Sequence, residues 1–458
     1  MKGLMRFGFC LAVGCAAEGS TIVDFDYAGD GKDDIGGVEA LGSSLNAIGT
    51  VGMMVDGHYR FFCSASLIGP TTVLTAKHCA LDLGTGMKLV NLVPIYFAVG
   101  PDANNPTRTV EAVAADVSPV ESGGFVGLGN DVAIYHLREP VTDVTPLKVA
   151  NFALQEEDVG KKLLGVGYGS KDAYEDLTGQ LQAHRRMGTK TLQARSGKAF
   201  ELMLGSFEGF LDSLASIYGR EAVEQVRSEL QKMYDDTTIL VDYEVWAGHV
   251  SGDSQTCHGD SGGPLIAKVA NESGQVEKMI FGVVSGGWFS RDLPCDYGTY
   301  YATFGSRTQA LIESTLAWSD PCAGGLTEMG RCEGTEAVRC TGKWEGNRRA
   351  TRVDCGVLDL ACGQDAVGQV ACVDPASAPG TLAHEELAEG ETPTVEVVRT
   401  NVTNATIYGL LHQAMQLLGD PPSDTDPPAD PDPSAGPDGP GETLGRVPGL
   451  VWRGRSLP

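Results

Sequence analysis

Between Ile35 and Trp318 the chain is divided into short apolar runs by Gly- and Pro-rich turns. Phe61-Phe62-Cys63-Ser64-Ala65-Ser66-Leu67-Ile68 and Ile280-Phe281-Gly282-Val283-Val284 are two such runs. Short runs rich in β-branched and aromatic residues, bounded by turn residues, suit strands. The pattern predicts an all-β domain over residues 34–318. With 42% hydrophobic residues in 458, the chain has enough apolar surface for one large core and a smaller appended unit.

One stretch breaks the β pattern. Met203, Phe207, Phe210, Leu211, Leu214 and Ile217 recur at helical spacing, and Gly219 offers a stop. Val223, Val226, Leu230 and Met233 resume the same period. This predicts two helices, about Phe200–Tyr218 and Arg220–Tyr234, inserted at about residues 200–234. Such an insert either packs against the strands or serves as a lid or exosite near a cleft.

The chain holds 12 cysteines. Cys10 and Cys15 fall in the N-terminal segment, and the remaining ten form an even set, as expected in an oxidising compartment. Cys322, Cys332, Cys340, Cys355, Cys362 and Cys372 cluster within residues 319–374 and predict a small disulfide-rich module. Six cysteines allow 15 connectivities, so the pairing stays open. A zinc site is the alternative, although the C-x2-C spacing is absent. Residues 375–458 turn acidic and Pro-rich and predict a largely disordered tail, with Ile407–Leu418 as a short amphipathic helix.

Residues 1–15 open with a basic stretch followed by the apolar Phe7–Gly14, which resembles a bacterial export signal. Leu11-Ala12-Val13-Gly14-Cys15 also resembles a lipoprotein signal, with Ala12 where Leu is usual. Two destinations follow: a secreted protein, or an outer-surface lipoprotein whose one membrane link is a lipid on Cys15. No run is long enough to span a bilayer as a helix. Residues 16–33 read as a linker or propeptide. The net charge of −26, from 60 acidic against 34 basic residues, argues against a nucleic-acid partner, because phosphate backbones need basic patches. A monomer is expected, and no residue set calls for a cofactor or a metal. Asn271-Glu272-Ser273 and Asn401-Val402-Thr403 are glycosylation sequons only in a eukaryotic secretory setting.

Cys257-His258-Gly259-Asp260-Ser261-Gly262-Gly263-Pro264 reads as the nucleophile loop of a serine hydrolase. Leu74-Thr75-Ala76-Lys77-His78-Cys79 and Asn130-Asp131-Val132-Ala133-Ile134 precede it, placing His, Asp and Ser in that order. A hydroxyl attacks poorly until a base takes its proton, and the base needs a carboxylate to fix its tautomer. Gly259-Asp260-Ser261-Gly262-Gly263 also fits the elbow of α/β-hydrolases, but those enzymes run Ser, acid, His. Gly262-Gly263-Pro264 would also begin a helix badly.

The three segments, in this order and with cysteines beside them, resemble the trypsin/chymotrypsin family of serine endopeptidases over roughly Ile35 to Trp318. The resemblance implies two six-stranded antiparallel β-barrels with a cleft between them. It implies Ser261 as nucleophile, His78 as general base and then acid, and Asp131 as the carboxylate that orients His78. It implies an oxyanion hole from the N–H groups of Gly259 and Ser261, and bridges Cys63–Cys79 and Cys257–Cys295. Substrate would meet Ser285, Gly286 and Gly287 along one edge, Gly298 on the far wall, Gln255 at the pocket base and His258 at its rim. His136, by contrast, reads as a strand residue. Trypsin-like enzymes carry Asp where Gln255 stands, and Asp253 would reach the pocket only through a rearranged loop, so a roomy, neutral pocket is expected.

Activation also departs from the family pattern. Members usually begin their mature chain at Ile-Val-Gly-Gly, and the new amino group pairs with the Asp before the nucleophile, here Asp260. This chain has Asp34-Ile35-Gly36-Gly37. Cleavage after Lys32 or at Asp34, Ile35 as the terminus, or no maturation by this route all remain open. The family implies protein or peptide substrates hydrolysed through an acyl-enzyme. The alternatives are a non-proteolytic binding or adhesion protein on the same fold, and an esterase.

Overall fold

The computed structural model describes residues 21–25, 38–40 and 45–374, apart from 84, 120–129, 171–182, 272, 289–294, 296–297, 317, 323, 343–347 and 359. The expected signal (1–15) and tail (375–458) lie outside the described residues.

Two short strands come first, β1 (Thr21–Val23) and β2 (Val38–Glu39). Six antiparallel strands then form the first barrel: β3 (Ile48–Val55), β4 (His58–Gly69), β5 (Thr72–Thr75), β6 (Ile95–Val99), β7 (Arg108–Val117) and β8 (Ala133–Leu137). They close in the order β3-β4-β5-β8-β7-β6. Val51, Leu67, Val73, Phe97 and Ile134 are fully or almost fully buried inside. β8 is buried along its whole length because its outer side is covered too. There His136 stacks on Trp318 with ring centroids 4.2 Å apart and binds Asp116 at 2.8 Å, which gives it a packing role.

The second barrel follows β9 (Lys148–Val149) and uses β10 (Lys162–Gly167), β11 (Arg186–Ala194), β12 (Glu244–Ala247), β13 (Pro264–Ala270), β14 (Val276–Gly286) and β15 (Thr299–Thr303). Pairing of β13 with β14 closes this ring of antiparallel strands. β9 adds in parallel to β14, and β2 pairs with β11. β1 pairs with β13, so the stretch that composition reads as linker or propeptide contributes a sheet strand. Ile22 and Phe25 explain this: both are buried, and each anchors the segment to a barrel core.

Where spacing predicts two helices between β11 and β12, four segments form: Ala199–Leu204, Phe207–Tyr218, Arg220–Gln225 and Arg227–Asp236. Gly205 ends the first in a left-handed conformation, and Ser206 Oγ starts the second by accepting from Gly209 N at 3.1 Å. Val226 leaves helical geometry and splits the last two. Apolar periodicity runs through such local breaks, so it carries no sign of them. Phe200, Phe210, Leu214 and Leu230 pack with Trp246, Trp288 and Tyr300 of the second barrel. The insert is therefore fixed to that barrel.

After a helix at Ser306–Leu316, a small module holds a three-stranded sheet, β16 (Arg331–Glu333), β17 (Glu336–Thr341) and β18 (Arg349–Asp354), and a hairpin, β19 (Ala361–Gln364) with β20 (Val370–Val373). Its bridges are Cys322–Cys340, Cys332–Cys362 and Cys355–Cys372. With all six sulfurs oxidised, the zinc alternative has no thiolate ligands. Among the described residues no helix is long and apolar enough to cross a membrane.

Candidate active site

β5 and β8 pair antiparallel with Thr75 opposite Ala133, so the residues just beyond their ends meet. His78 sits in the single turn Lys77–Cys79 that follows β5, and Asp131 stands two residues before β8. His78 Nδ1 lies 2.7 Å from Asp131 Oδ2, and the His78 amide donates to Asp131 Oδ1 at 2.9 Å. The Cys63–Cys79 disulfide ties this turn to β4, and the Tyr135 hydroxyl donates to the Cys79 carbonyl at 2.8 Å.

Ser285 adds a third donor: its Oγ binds Asp131 Oδ2 at 2.8 Å. Ser285, expected along the substrate edge through its main chain, turns its buried hydroxyl to the carboxylate. Burial alone would push the Asp131 pKa up. The nearby His78 and the hydrogen bonds from His78 and Ser285 outweigh it and bring the carboxyl below its ordinary value. Burial likewise disfavours the charged imidazole, but the Asp131 charge and hydrogen bond prevail and raise the His78 pKa.

The loop that carries Ser261 precedes β13 of the second barrel, yet β4 of the first barrel holds it. Ser64 N donates to the Ser261 carbonyl and Ser64 Oγ donates to the Gly259 carbonyl, each at 2.8 Å. Thr75 Oγ1 in turn donates to the Ser64 carbonyl at 2.9 Å. Gly262 takes φ +77°, and a Cβ there would meet Thr75 Oγ1 at 2.1 Å and the Ser64 carbonyl at 2.5 Å. Only glycine fits so close an approach. His78, Asp131 and the Ser261 loop thus meet where the two barrels join.

Asp260 is buried and bound at both oxygens, by Gly169 N at 2.8 Å and Cys257 N at 2.9 Å. Burial raises its pKa against these donors. The Cys257–Cys295 bridge forms as the resemblance implied. Gly286 and Gly287 are half-buried at the end of β14, and Gly286 stands opposite Tyr300. Gly298 takes φ +80° with the Trp246 indole packed against it. His258 is half-buried, and its carbonyl accepts from Ser170 N at 3.0 Å.

Gln255 is buried, and its Oε1 has no hydrogen-bond partner among the described residues. Asp253 spends both oxygens on Thr191, accepting from its amide at 2.9 Å and its hydroxyl at 3.0 Å. One further residue escaped sequence reasoning, and another reads there only as the aromatic residue two positions after Gly286, where the family usually has one. Lys190 is buried beside Asp260, and Trp288, just after β14, bonds to Ser213 of the helical insert. Lys190 carries no local motif, because a lysine in a strand reads as solvent-facing.

The Trypsin family profile matches residues 36–198 and 214–306, more than half of the chain. Trypsin theta of Drosophila erecta is 25% identical over 288 residues, covering 63% of this chain and 89% of that protein. Phenoloxidase-activating factor 3 of Holotrichia diomphalia is 24% identical over 243 residues, covering 51% of this chain and 58% of the factor. Among solved structures, mouse neuropsin, a serine protease, is similar with a TM-score of 0.40 and 18% identity, covering 61% of this chain and 98% of neuropsin.

Proposed function

The chain belongs to the trypsin family, and we propose that it is a serine endopeptidase that hydrolyses peptide bonds through an acyl-enzyme on Ser261. The observation that carries this reading is the His78–Asp131 pair: a buried carboxylate gripped by three donors, beside the loop of Ser261. An imidazole that donates Nδ1–H to Asp131 leaves Nε2 free to accept a proton. His78 takes the Ser261 proton as Oγ attacks the substrate carbonyl, then returns it to the leaving amine. Asp131 holds the ring and stabilises the imidazolium that forms. The N–H groups of Gly259 and Ser261 receive the oxyanion; each such donor is worth ~10²–10³ in turnover.

The substrate is a protein or peptide, lying extended along Ser285–Gly287 so that main-chain bonds fix its register. With Asp253 engaged by Thr191 and Gln255 at the base, the pocket favours a neutral side chain over a basic one. Export fits residues 1–15 and the oxidised cysteines, and Cys15 is the position for a lipid in the lipoprotein reading.

A fluorophosphonate probe tests the reading. Full-length protein is labelled and the adduct mapped by mass spectrometry, with peptide and ester substrates assayed in parallel. Labelling of Ser261 that His78→Ala abolishes, together with peptide cleavage, is the expected result. Ester hydrolysis alone would make the chain an esterase. No labelling of either the intact or the N-terminally cleaved chain would leave a binding protein on a protease fold.

A further inference from the structure

Gly165, Gly167 and Gly169 alternate along β10 and the residues after it, on one face. A Cβ on Gly165 would lie 3.0 Å from Lys190 Cε. A Cβ on Gly167 would lie 2.0 Å from Asp260 Oδ1, and one on Gly169 would lie 2.6 Å from Asp260 Oδ2. The three glycines clear a trough, and two charged side chains fill it. Lys190 and Asp260 are both buried and line one cavity of about 20 Å3, room for a single water. The Lys190 ammonium donates to the Ser254 carbonyl.

We propose that Lys190 is a positioning residue whose ammonium balances Asp260 from inside the barrel, so that this protease works as an uncleaved single chain. The inference rests on the endopeptidase reading above. A carboxylate buried without a compensating charge protonates or moves. Asp260 doing either would release the Gly169 and Cys257 amides, and those two bonds set the backbone of the Gly259–Ser261 loop.

The segments on either side of the candidate cleavage region are both anchored to the second barrel. Upstream, β1 is zipped to Lys268–Ala270, Asp24 accepts from Lys162 N at 2.8 Å, and the Lys268 ammonium lies 4.6 Å from the Phe25 ring centroid. Downstream, Val38 and Glu39 pair with Met187 and Arg186, and Ala40 and the buried Arg185 exchange two hydrogen bonds. Both flanks are built into the structure, so cutting between them leaves β1 and β2 in place.

The charged and titratable groups facing Lys190 are Asp260 and Asp253 from the loop before Ser261, Arg186 from its own strand, and Tyr301 from β15. Burial depresses the Lys190 pKa to about 8, against the pull of the two carboxylates. An ammonium with this role is lost on the alkaline side of that value.

The test uses the full chain with its N-terminus read by intact mass. Fluorophosphonate labelling of Ser261 is timed on the uncleaved form, on a form nicked between residues 26 and 37, and on Lys190→Met. The uncleaved form is expected to label, with a rate that falls about tenfold per pH unit above the Lys190 pKa. Lys190→Met is expected to lower that rate on the order of 10²-fold, the loss of a preorganised oxyanion site. Its melting temperature should fall as well, because Asp260 is left buried without its compensating charge, so the rate is read well below that temperature. The alkaline limb, which a merely structural lysine would not create, should vanish in Lys190→Met. Should Lys190→Met not fold, the alkaline limb of the native chain decides. A rate unchanged from pH 7 to 10, labelling only after nicking, or full labelling of Lys190→Met overturns the inference and leaves the endopeptidase reading intact. Failure of both forms to label at any pH overturns both.

Discussion

Trp288 donates its indole N–H to the Ser213 hydroxyl at 2.6 Å, which joins the end of the proposed substrate edge to the helical insert. Phe200 meets the same indole edge-on at 5.4 Å, and Phe210 lies 5.5 Å from it. Gly286 and Gly287 immediately precede Trp288, so the position of that edge depends on how well the insert packs.

Phe210→Ala removes a fully buried ring from this cluster and is expected to cost about 3–5 kcal/mol in denaturant unfolding. If the insert supports the edge, kcat/KM should also fall more for long peptides than for short ones. Equal loss across a length series would confine the insert to stability.

The raised His78 pKa sets the acid limb of activity. The base works only when neutral, so kcat/KM should rise with pH through a midpoint above the ordinary imidazole value of about 6.5. Asp131→Asn removes the charge that raises it. The midpoint should drop, and the rate should fall on the order of 10⁴-fold because the tautomer is no longer fixed. A pH–rate profile of both proteins checks the sign.

Ser285→Ala deletes one of three donors to Asp131. A hydrogen bond to a charged group contributes about 1.5–3 kcal/mol, so kcat/KM should fall at least about tenfold with KM little changed. The depressed Asp131 pKa stabilises the fold above the unfolded carboxyl value, and that stability is lost as pH falls through the folded one. Losing a donor raises the folded value, so acid unfolding should begin at higher pH in the variant.

Replacing Cys63 and Cys79 by serine opens a bridge between residues 16 apart in the chain. For a loop of this size the loss is about 3 kcal/mol. Because the bridge ends beside His78, activity should fall more steeply with temperature than global unfolding does. Parallel melting and rate curves would show whether the two separate.

Much of this protein was legible in its sequence because the relevant physics is local. A strand with one face in a barrel core alternates or saturates with apolar residues, so the run Phe61–Ile68 announced β4 without a partner in view. The turn through Gly259 and Gly262 needs glycine wherever it occurs, so the nucleophile loop was readable as a short string. The insert likewise declared its apolar period, though not the breaks at Gly205 and Val226.

Tertiary structure alone decided the rest, because barrel closure and strand register bring together residues that no local pattern relates. Ser285 reaches Asp131 across 154 positions, and only closure of the second barrel against the first sets that distance. Lys190 looked like any strand lysine until the glycine trough on β10 placed it beside Asp260. Thr21–Val23 read as linker until β13 offered an edge to pair with. The three bridges of the C-terminal module were one choice among 15 until its strands fixed which sulfurs meet.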